Sequence, residues 1–469
     1  MKLEFYGAAG CVTGSCHVLE VNGRKVLLDC GLIQGSRKDE AGNSDPFPFD
    51  AGAVSAVVLS HAHIDHSGRL PLLVKRGFGG HIHMQNATRA LCSILLTDAA
   101  GLEAGRVRRE NRQLEEKGKR LLEPLYEQSH VDQVIGQSVG HPYDRVFDVV
   151  PGVRVCYRDA GHIMGSTVVS VEITEGSRKC TLVFSGDLGQ FDSPILRDPQ
   201  SPPAADLVLM ESTYGDRLHR DRAASLVELG EVLETAWAQG GNVLIPAFAV
   251  GRSQEMLYQL GKHYDSWQID RWQIFLDSPL AIEASQVYWE YEHLFDEEAG
   301  DVLRIDSGMP ALPNLHLTRT AAESRVINRL SGGAIIIAGS GMCNGGRILH
   351  HMKQNLGRRE AHLVFTGYQP PGTLGRRIID GAESARIHGE TYPIRAQVHT
   401  IGGMSAHGDQ GHLLRWYEGI PGRPQVFLVH GDPDAARVLQ SKLEALGADA
   451  RAAAPGMTVD LGASAKAPG

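Results

Sequence analysis

The sequence predicts an α/β protein in which a doubly wound parallel unit is inserted into a β-rich outer domain. Three observations carry this expectation. Short strand patterns joined by tight turns fill the N-terminal region, strands and helices alternate from residue 208 to about 393, and strands ending in polar, His-bearing loops return after 393. The outer domain is therefore expected over 1–207 and 394–469, with the insertion over 208–393. A chain of 469 residues also exceeds what one hydrophobic core usually serves.

Taken in order, "KLEFYG", "SCHVLEV" and "RKVLLDC" read as short strands, and Asn22-Gly23 between the last two is a hairpin turn signal. A β-branched run, "AVVLS", leads into "HAHIDH", and a helix-like run, "GRLPLLVKRGF", leads out. A long helical stretch is expected from about Thr88 to Gln137. Within it, "RVRRENRQLEEKGKR" (Arg106 to Arg120) holds seven basic and three acidic residues; it reads first as a solvated helix face and second as a nucleic-acid contact. Strands return at "RVCYRDAGHIMGSTVVSVEI" and "CTLVFSGDLG". A Pro-rich break in "SPPAADLVLMESTYGD" precedes a strand expected to open the inserted unit. Alternation follows through "SLVELGEVLETAWAQGG", "NVLIPAFA", "GRSQEMLYQLGKHY", "WQIFLDSP", "GGAIIIAGSGM" and "EAHLVFTGY", the pattern of a doubly wound parallel sheet. "RAQVHTIGGMSAHGD" and "QVFLVHGD" revert to the earlier style and are assigned to the outer domain. The closing "APGMTVDLGASAKAPG" is expected to be partly frayed.

Composition excludes several classes. No apolar run approaches the ~20 residues needed to span a bilayer. "GAAGC" resembles a lipoprotein cleavage box, but the preceding "MKLEFY" carries Glu4 and has no apolar core, so a cytoplasmic location is expected. Seven cysteines without a C-x-x-C pair argue against a disulfide framework and against a thiolate zinc site. A net charge of -9 argues weakly against a polyanionic partner, although bound divalent cations would make a cleft locally positive.

The chemistry-bearing residues share one context, the polar end of an apolar strand. His61, His63, Asp65 and His66 fall within six positions there. "DAGHIMGS" adds His162, "LVFSGDLG" adds Asp187 between two glycines, and "VFLVHGD" adds His430. Five imidazoles and two carboxylates suffice for two divalent ions. His61, His63 and His162 would take one, Asp65, His66 and His430 the other, with Asp187 between them. All-nitrogen-and-oxygen ligation suits zinc, with manganese less favoured. Two ions ~3.5–4 Å apart lower the pKa of a shared water and hold attacking and leaving oxygens, so hydrolysis is the expected reaction class. Glu211 in "LVLMESTYGDR" and His407 in "GMSAHGD" end two further strands; a carboxylate that orients an imidazole makes a competent general acid for an alkoxide leaving group.

The ordered set "HAHIDH", His162, "SGDLG", "MESTYGDR", "PAFAVGRSQE", "GSGMCNGGRILHHM", "FTGYQPPGTLGR", "GMSAHGD" and "LVHGD" resembles the β-CASP branch of the metallo-β-lactamase superfamily. More narrowly, it is similar to the prokaryotic relatives of the eukaryotic pre-mRNA 3′-end cleavage endonuclease. The resemblance runs from Met1 to about Ala445. It implies a metallo-β-lactamase αββα sandwich with an inserted β-CASP domain, two zinc ions per chain, and hydrolysis of RNA phosphodiester bonds by metal-activated hydroxide. Cleavage would be mainly endonucleolytic, with 5′-to-3′ exonucleolysis in the same site, on single-stranded RNA, and relatives often form homodimers. It also implies metal-ligand roles for His61, His63, Asp65, His66, His162, Asp187 and His430, with Asp187 bridging. Glu211 and His407 correspond to the first two β-CASP motifs and His430 to the third, where histidine favours RNA over DNA. The family often has His-Gly-Glu at that third motif, whereas Asp432 stands here, which puts any contact from that carboxylate in doubt. The N-terminal RNA-binding domain of archaeal relatives is not expected, because "HAHIDH" begins only sixty residues in.

Phosphate contacts are expected at Ser340 and Gly341 in the turn "GSGMCNGG", which follows a strand and precedes a helix, and at Arg252 and Arg376. A lactam- or thioester-hydrolysing enzyme is the alternative class; the large insertion and the Glu211/His407 pair argue against it. A catalytically inactive RNA-processing scaffold is the non-enzymatic alternative, which the intact ligand set opposes.

Overall fold

A computed structural model describes residues 1–303, 312–370 and 372–462. The chain divides into two compact units. The first comprises Met1–Ser193, Arg197–Leu218 and the residues from His407 onward; the second comprises Pro194–Leu196 and His219–Ala406.

Two seven-stranded sheets form the first unit. In one, the strands run in the order Thr458–Asp460, Lys2–Gly7, Cys16–Val21, Arg24–Leu28, Val54–Val58, His81–Gln85, Ser138–His141. The first four are antiparallel to one another and the rest parallel. Asn22 and Gly23 both take positive φ and join paired Val21 and Arg24, the hairpin turn that their sequence favours. The second sheet runs Ala450–Ala452, Gln425–Val429, Leu207–Glu211, Arg178–Phe184, Thr167–Glu175, Val153–Asp159, Val146–Val150.

Side-chain alternation decides how these sheets stack. Leu207 and Leu209 join Leu19, Val26 and Val58 of the other sheet in one core, together with Phe427 and Val429. Val208, Met210, Val426 and Leu428 face the opposite way, onto Leu413, Trp416, Leu439 and Leu443 of helices Gln410–Glu418 and Pro433–Ala445. Strands buried on both faces read as continuous apolar runs, which is why "LVLM" and "VFLV" show no polar alternation. Helices Asn86–Glu115 and Gln128–Gln137 pack beside strand His81–Gln85, which completes the αββα order.

The second unit carries a six-stranded, all-parallel sheet in the order Leu315–Leu317, Gln273–Leu276, Ala334–Ala338, Val243–Pro246, His362–Phe365, Gln397–Thr400. Helices cover both faces: Leu229, Leu257 and Ile282 pack with Val243 and Ile335 on one, and Ile348, Met352 and Ile378 with Leu244 and Ile336 on the other. This is the doubly wound arrangement that the alternating pattern predicts.

Three features differ from expectation. The helical stretch is broken, because Gly118 takes φ +60° and the Lys119 N–H bonds back to the Leu114 carbonyl at 2.9 Å, closing helix Asn86–Glu115 in a Schellman turn. A new helix starts only at Gln128. Strand Leu207–Glu211 does not open the inserted unit; it lies between Arg178–Phe184 and Gln425–Val429. Strand Gln397–Thr400 pairs with His362–Phe365 of the second unit rather than returning to the first. Both assignments depend on which distant strand supplies the partner, and neither segment's own pattern encodes that. At the C-terminus, Thr458–Asp460 pairs with Lys2–Glu4, and 463–469 lie outside the described residues. Among the described residues no helix is long and apolar enough to cross a membrane.

Candidate metal centre

Strand Val54–Val58 delivers the first cluster. Beyond its C-terminal end, His61 is fully buried, and His63 stands at the N-cap of the short helix Ile64–Ser67. That helix is gripped by backbone: Ser15 N–H donates to Asp65 O, Cys30 N–H to His66 O and Leu32 N–H to Ile64 O, at 2.8–2.9 Å. The approach is so close that a Cβ on Gly31 would sit 1.6 Å from the Asp65 carbonyl oxygen, so only glycine fits. His162 and Asp187 are set by a second contact of the same kind. Gly189 N–H donates to Ala160 O at 2.8 Å, and a Cβ on Gly189 would meet the Gly161 carbonyl oxygen at 1.8 Å. His430 follows strand Gln425–Val429 with φ +49°, its N–H donating to Ala8 O at 2.6 Å.

The seven predicted donors come together in two groups. In the first, one donor atom each from His61, His63, His162 and Asp187 lies within 4.8 Å of the others; in the second, so do those of Asp65, His66 and His430. His63 Nδ1 lies 3.1 Å from both His61 Nε2 and His162 Nε2. His66 Nε2 lies 3.1 Å from His430 Nε2, and His430 Nε2 lies 3.5 Å from Asp65 Oδ2. Asp187 addresses both sets: Oδ2 is 3.5 and 3.6 Å from His61 and His162, while Oδ1 is 3.3 Å from His66 Nε2. A tetrahedral ion with ~2.0–2.1 Å bonds holds its ligand atoms roughly 3.3 Å apart, the spacing seen here. Asp187 Oδ1, buried and without a hydrogen-bond partner among the described residues, is the kind of orphan that a cation satisfies. The donor set fits metal.

Electrostatics agree. Burial, reinforced by His66, holds the His61 imidazole well below its ordinary pKa, and burial lowers His63 to about 4. Both are therefore neutral ligand forms at pH 7. Burial opposes charge on Asp187, but His430, His66 and His61 outweigh it and hold the carboxyl well below the usual range. For His66, burial is overcome by Asp187 and Asp29, which raise it. Without a cation, a proton stands between those carboxylates; metal binding would displace it.

Two residues outside the predicted set complete the framework. Asp29 Oδ2 lies 2.7 Å from His66 Nδ1 and accepts from Ser60 Oγ at 2.9 Å and Ser15 Oγ at 3.0 Å; its Oδ1 accepts from Ser60 N–H at 2.8 Å. Thr213 Oγ1 lies 3.1 Å from His430 Nδ1. Each fixes the orientation of a donor imidazole through its other nitrogen.

Glu211 and His407 stand beside the donors. Glu211 is fully buried and its Oε1 accepts from Leu188 N–H at 2.6 Å. His407 Nδ1 is 3.2 Å from both carboxylate oxygens, and its Nε2 is 3.9 Å from Asp187 Oδ2. Burial alone would lower His407, but the Glu211 carboxylate raises it to about 9, so it carries a proton at neutral pH. Asp187, Glu211 and His407 also bring one donor atom each within 4.8 Å. Asp432 caps helix Pro433–Ala445 without a side-chain cap bond.

The four phosphate candidates lie in the second unit, around loops at the carboxyl ends of its sheet. Gln369 Nε2 donates to Gly341 O at 2.9 Å, Gly375 N–H to Met342 O at 3.3 Å, and a Cβ on Gly341 would touch Phe248. Much of the expected cradle is already used. Ser340 N–H bonds Gly345 O and Asn344 N–H bonds Ser340 Oγ. Arg252 is buried against Glu255 at 2.6 Å, and Arg376 pairs with Asp380 at 2.9 Å.

Comparison with known proteins follows the same outline. Residues 9–247 match the metallo-beta-lactamase superfamily, 253–378 the Beta-Casp domain, and 391–453 the Zn-dependent metallo-hydrolase RNA specificity domain. The chain is 41% identical to "Ribonuclease TTHA0252" of Thermus thermophilus over 448 residues, 95% of each protein. It is 30% identical to "Transcription termination factor FttA" of Methanothermobacter thermautotrophicus, over 92% of this chain and 67% of that protein. A crystal structure of an Enterococcus faecalis protein of unknown function shares the fold at TM-score 0.54 and 12% identity, covering 98% of this chain and 99% of the other.

Proposed function

The chain belongs to the β-CASP branch of the metallo-β-lactamase superfamily, and from that premise we propose that it is a zinc-dependent ribonuclease with two ions per chain, mainly endonucleolytic on single-stranded RNA in the cytoplasm. The relative called a ribonuclease supports RNA as substrate, as does the RNA specificity match. The observation that carries the reading is Asp187, whose two oxygens face two separate imidazole sets at 3.3–3.6 Å. One ion would be held by His61, His63 and His162, the other by Asp65, His66 and His430, with Asp187 shared. Ions bound there would polarise the phosphate and lower the pKa of a water.

The remaining chemistry belongs to side chains. His407, protonated and oriented at Nδ1 by Glu211, presents Nε2 toward the centre and gives its proton to the leaving oxygen. Positioned proton transfer of this kind contributes ~10²–10⁴-fold. A thioester expels a thiolate, which leaves without a proton donor, so this pair suits an alkoxide leaving group better. The same site would support 5′-to-3′ trimming, because the bond broken is the same.

The test is cleavage of a 5′-labelled single-stranded RNA beside matched DNA and a chromogenic lactam, with zinc content measured on each protein. Internal RNA cuts by wild type, absent in Asp187→Ala, are expected. His407→Ala should keep two metals and lose ~10²-fold or more in turnover. Lactam hydrolysis without RNA cleavage would overturn the reading, as would RNA cleavage that survives Asp187→Ala.

A further inference from the structure

We propose that the C-terminal half of helix Asn86–Glu115, with the segment that follows it, is a second RNA-binding surface, gripping the phosphate backbone of single-stranded RNA at a distance from the metal centre. This rests on the ribonuclease reading. The helix is two-faced in this half. Val107 is buried and Glu103, Ala104, Asn111 and Leu114 are half-buried, while Arg108, Arg109 and Arg112 are exposed. Positions 108, 109 and 112 are related by i, i+1 and i+4, so the three guanidinium groups share the outer face.

What separates this stretch from an ordinary solvated face is how densely its unpaired cations stand. Arg106 is fully engaged, by Glu103 at 2.8 Å and Glu110 at 2.9 Å. The other cations, Arg108, Arg109, Arg112, Lys117, Lys119 and Arg120, are exposed, and their side chains make no ion pair or hydrogen bond among the described residues. Elsewhere in the same unit Arg154, Arg178 and Arg217 each rest against a carboxylate, and exposed cations without one, such as Arg145, Lys179 and Lys442, stand singly. In a chain of net charge -9, six free cations within thirteen positions form a local anion-seeking surface.

The surface is also held in place. Asn111 clamps the returning chain at both backbone groups of Leu122: Nδ2 donates to its carbonyl at 3.0 Å and Oδ1 accepts from its N–H at 2.8 Å. Lys75 Nζ donates to the Pro124 and Leu125 carbonyls at 3.1 Å. Lys117, Lys119 and Arg120 are thus fastened alongside the helix rather than carried on a loose tail. At its other end the same helix is anchored near the donors, Thr88 Oγ1 donating to Gly165 O at 2.6 Å, three residues beyond His162. From Thr88 to Arg108 a helix rises roughly 30 Å, about nine nucleotides at ~3.4 Å per stacked nucleotide.

No aromatic side chain stands between Arg106 and Arg120 to stack on bases. Recognition there is of phosphate, without sequence preference. An RNA long enough to reach from the metal centre gains this contact, and one of four nucleotides does not.

The experiment compares wild type with the triple variant Arg108→Gln, Arg109→Gln, Arg112→Gln, and separately with Lys117→Gln, Lys119→Gln, Arg120→Gln. Fluorescence anisotropy reads binding of labelled 24-nucleotide A-rich and U-rich RNA and of a 4-nucleotide RNA, in His407→Ala background, which keeps the metal ligands while slowing cleavage. Circular dichroism checks the fold. Binding of both 24-mers is expected to weaken at least tenfold, and the 4-mer to be bound within twofold of the parent. The log–log salt slope should fall by about 2, as follows when three phosphates of a single strand are no longer neutralised. Equal binding of the 24-mers by parent and variants would overturn the surface, leaving those cations for an acidic protein. Equal weakening on 24-mer and 4-mer would also overturn it, since the contact would then not be remote. A parent that binds no RNA removes the ribonuclease reading, and this surface with it.

Discussion

Asp29 shows how much of the centre rests on residues that touch no ligand. It is fully buried, and its carboxylate binds His66 Nδ1 at 2.7 Å while two serines and a backbone N–H hold it still. Asp29→Asn keeps the shape but removes the charge that supports the imidazole, so metal affinity should fall ~10–100-fold, read by competition with a chromogenic chelator. Unchanged affinity would make Asp29 a packing residue only. A clue lies in the sequence, since Asp29 ends the apolar strand "RKVLLDC" just as His61 and Asp187 end theirs. A lone aspartate carries no ligand spacing, however, so the clue is legible only beside His66. Asp159 poses the opposite case. Burial pushes its carboxyl up to about 7, and one backbone N–H, from Gly161 at 2.9 Å, offsets little of that. A carboxyl raised in the fold binds its proton more tightly than the unfolded chain does, so stability is lost as pH rises from the ordinary carboxylate range through about 7. Asp159→Asn is therefore expected to be more stable than wild type at pH 8 by a few kcal/mol, at about 1.4 kcal/mol per pKa unit, with the gap closing toward pH 4. Urea unfolding at both pH values measures it, and a gap independent of pH would refute the assignment to this carboxyl.

At the scale of elements, the predictable parts are those whose signal is local. The Asn22-Gly23 hairpin, the cluster after Val54–Val58 and the alternating unit all follow from periods and turn residues within a few positions. Leu207–Glu211 and Gln397–Thr400 mislead because their patterns say only "buried strand", and the choice of partner belongs to the whole sheet. The phosphate candidates differ again: sequence offers Arg252 and Arg376 as phosphate contacts, but in the fold they stand in the first turns of two helices, where the carboxylates Glu255 and Asp380, three and four residues on, take their charge. Donor placement depends on contacts that sequence shows only as glycine. Gly189→Ala would push a methyl against the Gly161 carbonyl, 1.8 Å away, and shift the backbone that carries His162. A cost of ~1–3 kcal/mol is expected for such overpacking, together with weaker metal binding at the His61–His63–His162 set. Thermal unfolding and zinc titration of the variant would show both effects; normal zinc binding would mean the loop absorbs the methyl elsewhere.

Across the whole molecule, the candidate donors belong to one unit, and metal held by them would bind it together. His61, His63, Asp65 and His66 follow a strand of its first sheet, whereas His162, Asp187 and His430 follow strands of its second, so a cation held by both sets ties the two sheets at one edge. The second unit holds none of these donors and has its own parallel sheet with two apolar cores. Ions that bind only the folded state stabilise it by RT ln(1 + [L]/Kd), about 4 kcal/mol per site at a thousandfold excess over Kd. For a unit of this size that is roughly 10 °C. Calorimetry in chelator and in zinc should therefore show two transitions, of which one rises by that order on adding zinc and the other stays. In Asp187→Ala the zinc-dependent shift should largely disappear, because each set loses its shared carboxylate. A single transition that moves as a whole would mean the two units unfold together, and no movement in either buffer would take the metal out of the centre altogether.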